Sequence, residues 1–186
     1  MGRVIFGMRV SLDGFVADRS GDSSALYPDL DEIGDNAVVK EEIEKTGAVI
    51  LGRRSYDMAE GDLTGYEFQV PIFVLTHSPP SEVAKGQNEN LTITFVTDGV
   101  ESAVEQAKAA AGDRDVVVIG ADTGRQLLTA GLADELRVGI VPILFGAGLR
   151  LFDHIDPTKI ELERVRVVET PTDTTIDFRV TSKAGA

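Results

Sequence analysis

The sequence contains no cysteine, and that one absence removes disulfides, zinc–thiolate sites and thiol nucleophiles together. Histidine is almost missing too: only His77 and His154 occur, and no metal-ligand spacing joins them. The stretch from Asp29 to Gly34 resembles the opening of a calcium loop. It places Ile33 and Lys40 where ligands belong, so it reads as a solvated helix start and no metal is expected. Positive charge is scarce, with 18 Lys and Arg against 31 Asp and Glu, a net charge of −13. Such a chain repels nucleic-acid backbones and anionic membranes, and neither partner is expected. No run approaches the ~18–20 apolar residues of a membrane span. Arg3, Arg9 and Asp13 break the N-terminal apolar run where a signal peptide needs continuity. A cytoplasmic protein is expected. The Gly-Lys-Ser/Thr phosphate loop, the three-glycine dinucleotide fingerprint after the first strand and the esterase elbow are also missing.

What remains is an ordinary globular composition: 186 residues, 42% hydrophobic and 26% charged. One domain is expected over 1–181, followed by a flexible tail at 182–186. Eight segments read as strands: 3–10, 48–51, 71–75, 91–96, 116–119, 136–144, 162–169 and 174–181. The runs AVIL, PIFVL and VVVI are short and continuously apolar, as suits strands covered on both faces. Pro142 marks an edge, a bulge or a strand end. The last two segments flank a Pro-Thr-Asp turn and read as an antiparallel pair. Helices are expected over 31–46, from about Arg53, over 99–111 with Asp98 as cap, and over 122–130 with Asp122 or Thr123 as cap. Gly112 and Gly131 stop the last two. This alternation indicates an α/β fold with a largely parallel sheet and an antiparallel end.

Four segments carry candidate chemistry. Gly52-Arg53-Arg54-Ser55 follows the strand AVIL and opens a helix. Two arginines there oppose the helix dipole, and a bound phosphate would explain them; local salt bridges are the bland alternative. Gly120-Ala121-Asp122-Thr123-Gly124-Arg125 follows VVVI, and its small residues allow a ligand close to the backbone. Thr76-His77-Ser78 follows PIFVL and could reach a further phosphate, or could be plain loop chemistry. Ser11-Leu12-Asp13-Gly14-Phe15-Val16-Ala17 is an Asp-Gly turn suited to covering a pocket, or a simple turn. The strands 48–51, 71–75 and 116–119 are expected to be neighbours whose motif-bearing ends open onto one cleft.

These segments, with Gly131-Leu132-x-Asp134-Glu135-Leu136 and the run from Pro142 to Phe152, resemble the dihydrofolate reductase-like superfamily. The branch resembled is that of the C-terminal reductase domain of the bifunctional riboflavin-biosynthesis protein. The resemblance runs from Val4 to Val180. It implies a three-layer fold with a mixed, mostly parallel sheet of about eight strands flanked by helices, an NADPH site and hydride transfer. Gly52, Arg53, Arg54 and Ser55 would hold cofactor phosphates. Thr76, His77 and Ser78 would lie near the adenosine end, and Gly120 to Arg125 would wrap the pyrophosphate. The 11–17 segment would line the nicotinamide and substrate pocket, and two copies would pair as a homodimer. Ile119 stands where the family has the first of two adjacent glycines.

The expected activity is reduction of a small heterocycle (pterin-, pyrimidine- or flavin-precursor-like) or a carbonyl compound. Asp13 is the first candidate for a polar catalytic group and Asp35 the second. The alternative is a homodimer on the same fold that binds a nucleotide or metabolite without turnover.

Overall fold

The computed structural model describes residues 2–28, 37–82, 84–156 and 159–182. In chain order the strands are β1 (Val4–Ser11), β2 (Phe15–Ala17), β3 (Thr46–Gly52), β4 (Ile72–Leu75), β5 (Ile93–Val96), β6 (Asp115–Ile119), β7 (Glu135–Val141), β8 (Leu149–Arg150), β9 (Ile160–Glu169) and β10 (Thr174–Ser182). The helices are α1 (Ala37–Lys45), α2 (Arg53–Met58), α3 (Val100–Ala111) and α4 (Ala121–Thr129).

Eight strands form one sheet in the order β5-β4-β3-β6-β1-β7-β10-β9. The pairs from β5 to β7 are parallel, and β10 runs antiparallel to both β7 and β9. The three continuous apolar runs are neighbours in the middle, as β4-β3-β6. Their side chains alternate between two cores. Ile50, Val118, Phe6 and Val4 meet α3 and α4 on one face, where Ala103 and Ala107 let the helix sit close. Val49, Leu51, Ile72 and Val74 meet Tyr56, Leu63 and Phe68 on the other. Each such side chain contributes on the order of 1.5–3 kcal/mol by leaving water. Among the described residues no helix is long and apolar enough to cross a membrane.

Several boundaries differ from the sequence reading. The strand expected to reach 144 stops at Val141, because Pro142 has no N–H for the ladder. Gly99 and Gly120, not Asp98, Asp122 or Thr123, occupy the cap positions of α3 and α4, with no side-chain cap bond. The chain turns from strand into helix there at φ +108 and +120, a conformation that only glycine adopts without strain. β2 and β8, too short to read from sequence, pair in a separate ladder. The helix expected from 31 is described only from Ala37, so the candidate Asp35 lies outside the described residues.

Candidate active site

The parallel strands β3 and β6 pair side by side as far as Leu51 and Ile119. The next residues of each, Gly52 and Gly120, bring two backbones together. A Cβ on Gly120 would stand 3.2 Å from the Gly52 nitrogen and 3.4 Å from Ser55 Oγ, and one on Gly52 would stand 2.9 Å from Thr123 Oγ1. Any larger residue would wedge the turns apart. Ile119 does not stand between them. Its side chain packs on the Leu51 side of the sheet and lines the cavity described below. The Gly120 N–H is instead donated to Met8 Sδ at 3.4 Å.

Arg53, Thr76 and Ser78 come together beside these glycines. The Arg53 guanidinium donates to Thr76 Oγ1 (3.5 Å) and to the Ser78 carbonyl, and pairs with Asp57 at 2.7 Å. His77 is exposed. Arg54 lines the cavity and has no hydrogen bond or ion pair with any described residue. Further along α4, Asp122 is exposed and accepts from Arg125 (3.3 Å) and Gln126 (2.9 Å). Arg125 also donates to the Arg150 carbonyl at 3.2 Å. Thr123 and Gly124 are buried and seat α4 on the sheet. The cleft thus gathers Gly52, Arg53, Ser55, Thr76, Ser78, Gly120 and Ala121, while Asp122 and Arg125 front a second, open hollow beside His154.

Beneath the cleft lies a cavity of about 680 Å³, within the ~300–1,000 Å³ range of small-molecule sites. Its floor is the face of β1 and β7 that carries Gly7, Arg9, Arg137 and Gly139. A Cβ on Gly7 would meet nothing within 4 Å, so the floor is open there. One on Gly139 would stand 3.0 Å from Asp173 Oδ2 and 3.1 Å from Arg9 Cγ, so the glycine leaves space for that pair. Arg9 Nε lies 3.2 Å from Asp173, and Arg137 lies 2.8 Å from both Glu42 of α1 and Asp177 of β10. Burial pushes the Glu42 carboxyl above the usual range, and Arg137 pulls it partly back. Glu67, at the rim, is also raised by burial.

Asp13 does something different. Its carboxylate accepts from Ser11 Oγ (2.6 Å) and from the amides of Phe145 (3.2 Å) and Gly146 (2.7 Å). The Ser11 bond, with help from those amides, holds it below the ordinary carboxylate range. It pins the 145–148 turn over the 11–17 segment, where Gly148 packs so closely that a Cβ would stand 2.0 Å from the Ala17 carbonyl. From that segment Val16 and Ala17 line the cavity, and Asp13 does not.

The family model of the RibD C-terminal domain matches residues 3–176. The chain belongs to that family. Other proteins are similar to it over most of their length. The uncharacterized protein YwjB of Bacillus subtilis (strain 168) is 26% identical over 163 residues, 87% of this chain and 89% of that one. Among solved structures, a putative riboflavin biosynthesis protein from Shewanella sp. PV-4 superimposes with a TM-score of 0.77 at 21% identity, over 97% of this chain and 99% of that one. Dihydrofolate reductase from Enterococcus faecalis, complexed with NADP(H), superimposes with a TM-score of 0.60 at 17% identity, over 98% and 97%. The fold of this RibD C-terminal domain is therefore that of dihydrofolate reductase, as the motifs imply.

Sequence reasoning missed the charged floor of this RibD-type cavity. Arg9, Arg137 and Asp177 stand on adjacent strands, but β7 and β10 carry other charges, Glu135 and Arg179, that hide them among surface residues.

Proposed function

We propose that this chain is an NADPH-dependent reductase of a small substrate held in the cavity. The observation that carries the reading is the abutting pair Gly52 and Gly120, a backbone cradle that a Cβ would fill, set at the mouth of a ligand-sized cavity. The free N–H groups of the first turns of α2 and α4 and the guanidinium of Arg54 suit phosphates of the cofactor, and Arg53 with Thr76 and Ser78 suits the 2′-phosphate. Bound there, NADPH would supply a hydride to a substrate lying on the cavity floor. The protein orients the two reactants and excludes water between them. Asp13 is kept ionised by its three donors, so its part is to hold the 11–17 segment in place. A nucleotide or metabolite binder without turnover is the second reading, favoured by that same engagement of Asp13.

The test is oxidation of NADPH, followed by its absorbance, across a panel of pterins, pyrimidines, flavin precursors and carbonyl compounds. Turnover of at least one of them is expected. Saturable NADPH binding with no oxidation across the panel would leave the binder as the better reading.

We also propose a homodimer in solution. β7 is covered on both edges, so the surface offered is that of β9, where Leu162, Val165 and Val167 are 45–50% exposed. Light scattering at micromolar concentration should give twice the 19.9 kDa chain mass; a monomer mass refutes it.

A further inference from the structure

The pairing of β1 with β6 ends at Phe6 and Val118, while β1 goes on beside β7 to Ser11. The cleft opens where β1 and β6 part. Gly120 lies just beyond the end of β6, and its N–H is donated to Met8 Sδ at 3.4 Å. Its carbonyl accepts from the Gly124 N–H at 2.8 Å, the first bond of α4. Gly120 is therefore tied at both of its backbone groups, one to a side chain of β1 and one to the helix.

Gly120 stands at φ +120 and ψ +123, a region open to glycine and to little else. Glycine also gives up more backbone freedom on folding than any other residue, so a fixed orientation here needs outside contacts. Gly52 and Ser55 pack against its Cα, and Met8 fixes the direction of its N–H. That direction sets the Ile119–Gly120 peptide plane, and with it how the N–H groups of Ala121, Asp122 and Thr123 leave the start of α4. Met8 is half-buried, packs against the core that meets α3 and α4, and also lines the cavity. Its thioether fills space as leucine does yet accepts a hydrogen bond, which leucine cannot.

We infer that Met8 is a positioning residue for the nucleotide: its sulfur, through the Gly120 N–H, aims the start of α4 at the diphosphate. The inference rests on the cleft being the cofactor site of the proposed reductase, and it adds a side chain of β1 to that site. The diphosphate is common to NADPH and NADH. The effect of Met8 therefore falls on both alike, in contrast to that of a contact with the 2′-phosphate.

The test exchanges Met8 for leucine and for glutamine in the full chain. Leucine keeps the volume and removes the acceptor; glutamine keeps an acceptor of similar reach but fills an apolar space less well. A packing role alone would spare Met8→Leu and harm Met8→Gln, whereas the positioning role gives the opposite order. In Met8→Leu both nucleotides should bind at least about threefold more weakly, the size of one modest hydrogen bond, with the ratio of their affinities unchanged. Met8→Gln should stay close to the parent. Hydrogen exchange of the Gly120 amide, read by NMR without nucleotide, should quicken by a similar factor in Met8→Leu alone. Parental nucleotide affinity or parental Gly120 exchange in Met8→Leu would overturn the inference, and so would a larger loss in a folded Met8→Gln. Urea unfolding checks that both variants fold; if Met8→Gln does not, the two readouts on Met8→Leu decide. Parental NADPH affinity in Met8→Leu removes only the role of Met8. A parent chain that binds no NADPH removes the reductase reading and the role toward the nucleotide with it, while Gly120 exchange still reports the bond to sulfur.

Discussion

Adding a single methyl group at Gly124 is expected to destabilise the protein by roughly 1–2 kcal/mol, although alanine is the better helix former. Gly124 lies within α4 with ordinary helical backbone, where exchanging glycine for alanine normally gains about 1 kcal/mol. Here a Cβ would stand 1.9, 2.1 and 2.3 Å from three carbons of the Phe6 ring. Phe6 is fully buried in β1 and packed from all sides, so its ring has nowhere to go. Overpacking of this kind costs about 1–3 kcal/mol and occasionally more, enough to reverse the sign set by propensity. Urea denaturation of Gly124→Ala should show a lower midpoint at an unchanged slope. Adding Phe6→Leu should return part of the loss, because the two residues share one space. A midpoint above the parent's would mean that α4 does not seat on β1 in this way, and the position of Gly120 at its start would fall with it.

The second large effect is expected at the two arginines. Arg53→Ala and Arg54→Ala should each weaken NADPH roughly tenfold to a hundredfold, the equivalent of about 1–3 kcal/mol for a lost charge-assisted contact. The causes differ. Arg54 has no partner among the described residues, which leaves its guanidinium to meet a phosphate. Arg53 is already tied to Asp57, Thr76 and Ser78, which fixes the planar fork in the orientation needed to grip a 2′-phosphate. Arg53→Ala should therefore spare NADH, which lacks that phosphate, while Arg54→Ala should weaken both nucleotides. With a net charge of −13 working against any polyanion, the local cations matter more than they would in a neutral protein. Affinities measured at fixed salt check both; parental NADPH affinity in either variant contradicts its assignment.

The parallel half of the fold was legible because its strands are covered on both faces. AVIL, PIFVL and VVVI can be nothing but interior, and the glycines that follow two of them mark the turns into α2 and α4. Where a chain turns from strand to helix, backbone conformation decides the cap, so glycine stood where a hydroxyl or carboxylate was expected. The cleft was legible for the same reason: strand ends in a parallel sheet share one edge. The cavity floor was not. Arg9, Arg137 and Asp177 look from sequence like surface charges, and their meeting depends on β10 returning antiparallel to β7, 40 residues after Arg137 in the case of the Arg137–Asp177 pair. Glu42 sits among Glu41, Glu44 and Lys45 on α1, and nothing in that run distinguishes the one carboxylate that turns inward. Asp13 was legible as important but not in what it does, since its partners Phe145 and Gly146 lie 132 and 133 residues away.

The most direct measurement is a fluorescence titration of NADPH with the full chain, repeated with NADH. Saturation at one nucleotide per chain is expected, with NADPH bound at least about tenfold more tightly because a cation site meets its extra phosphate. No saturable change with NADPH, or equal affinity for the two nucleotides, would contradict it.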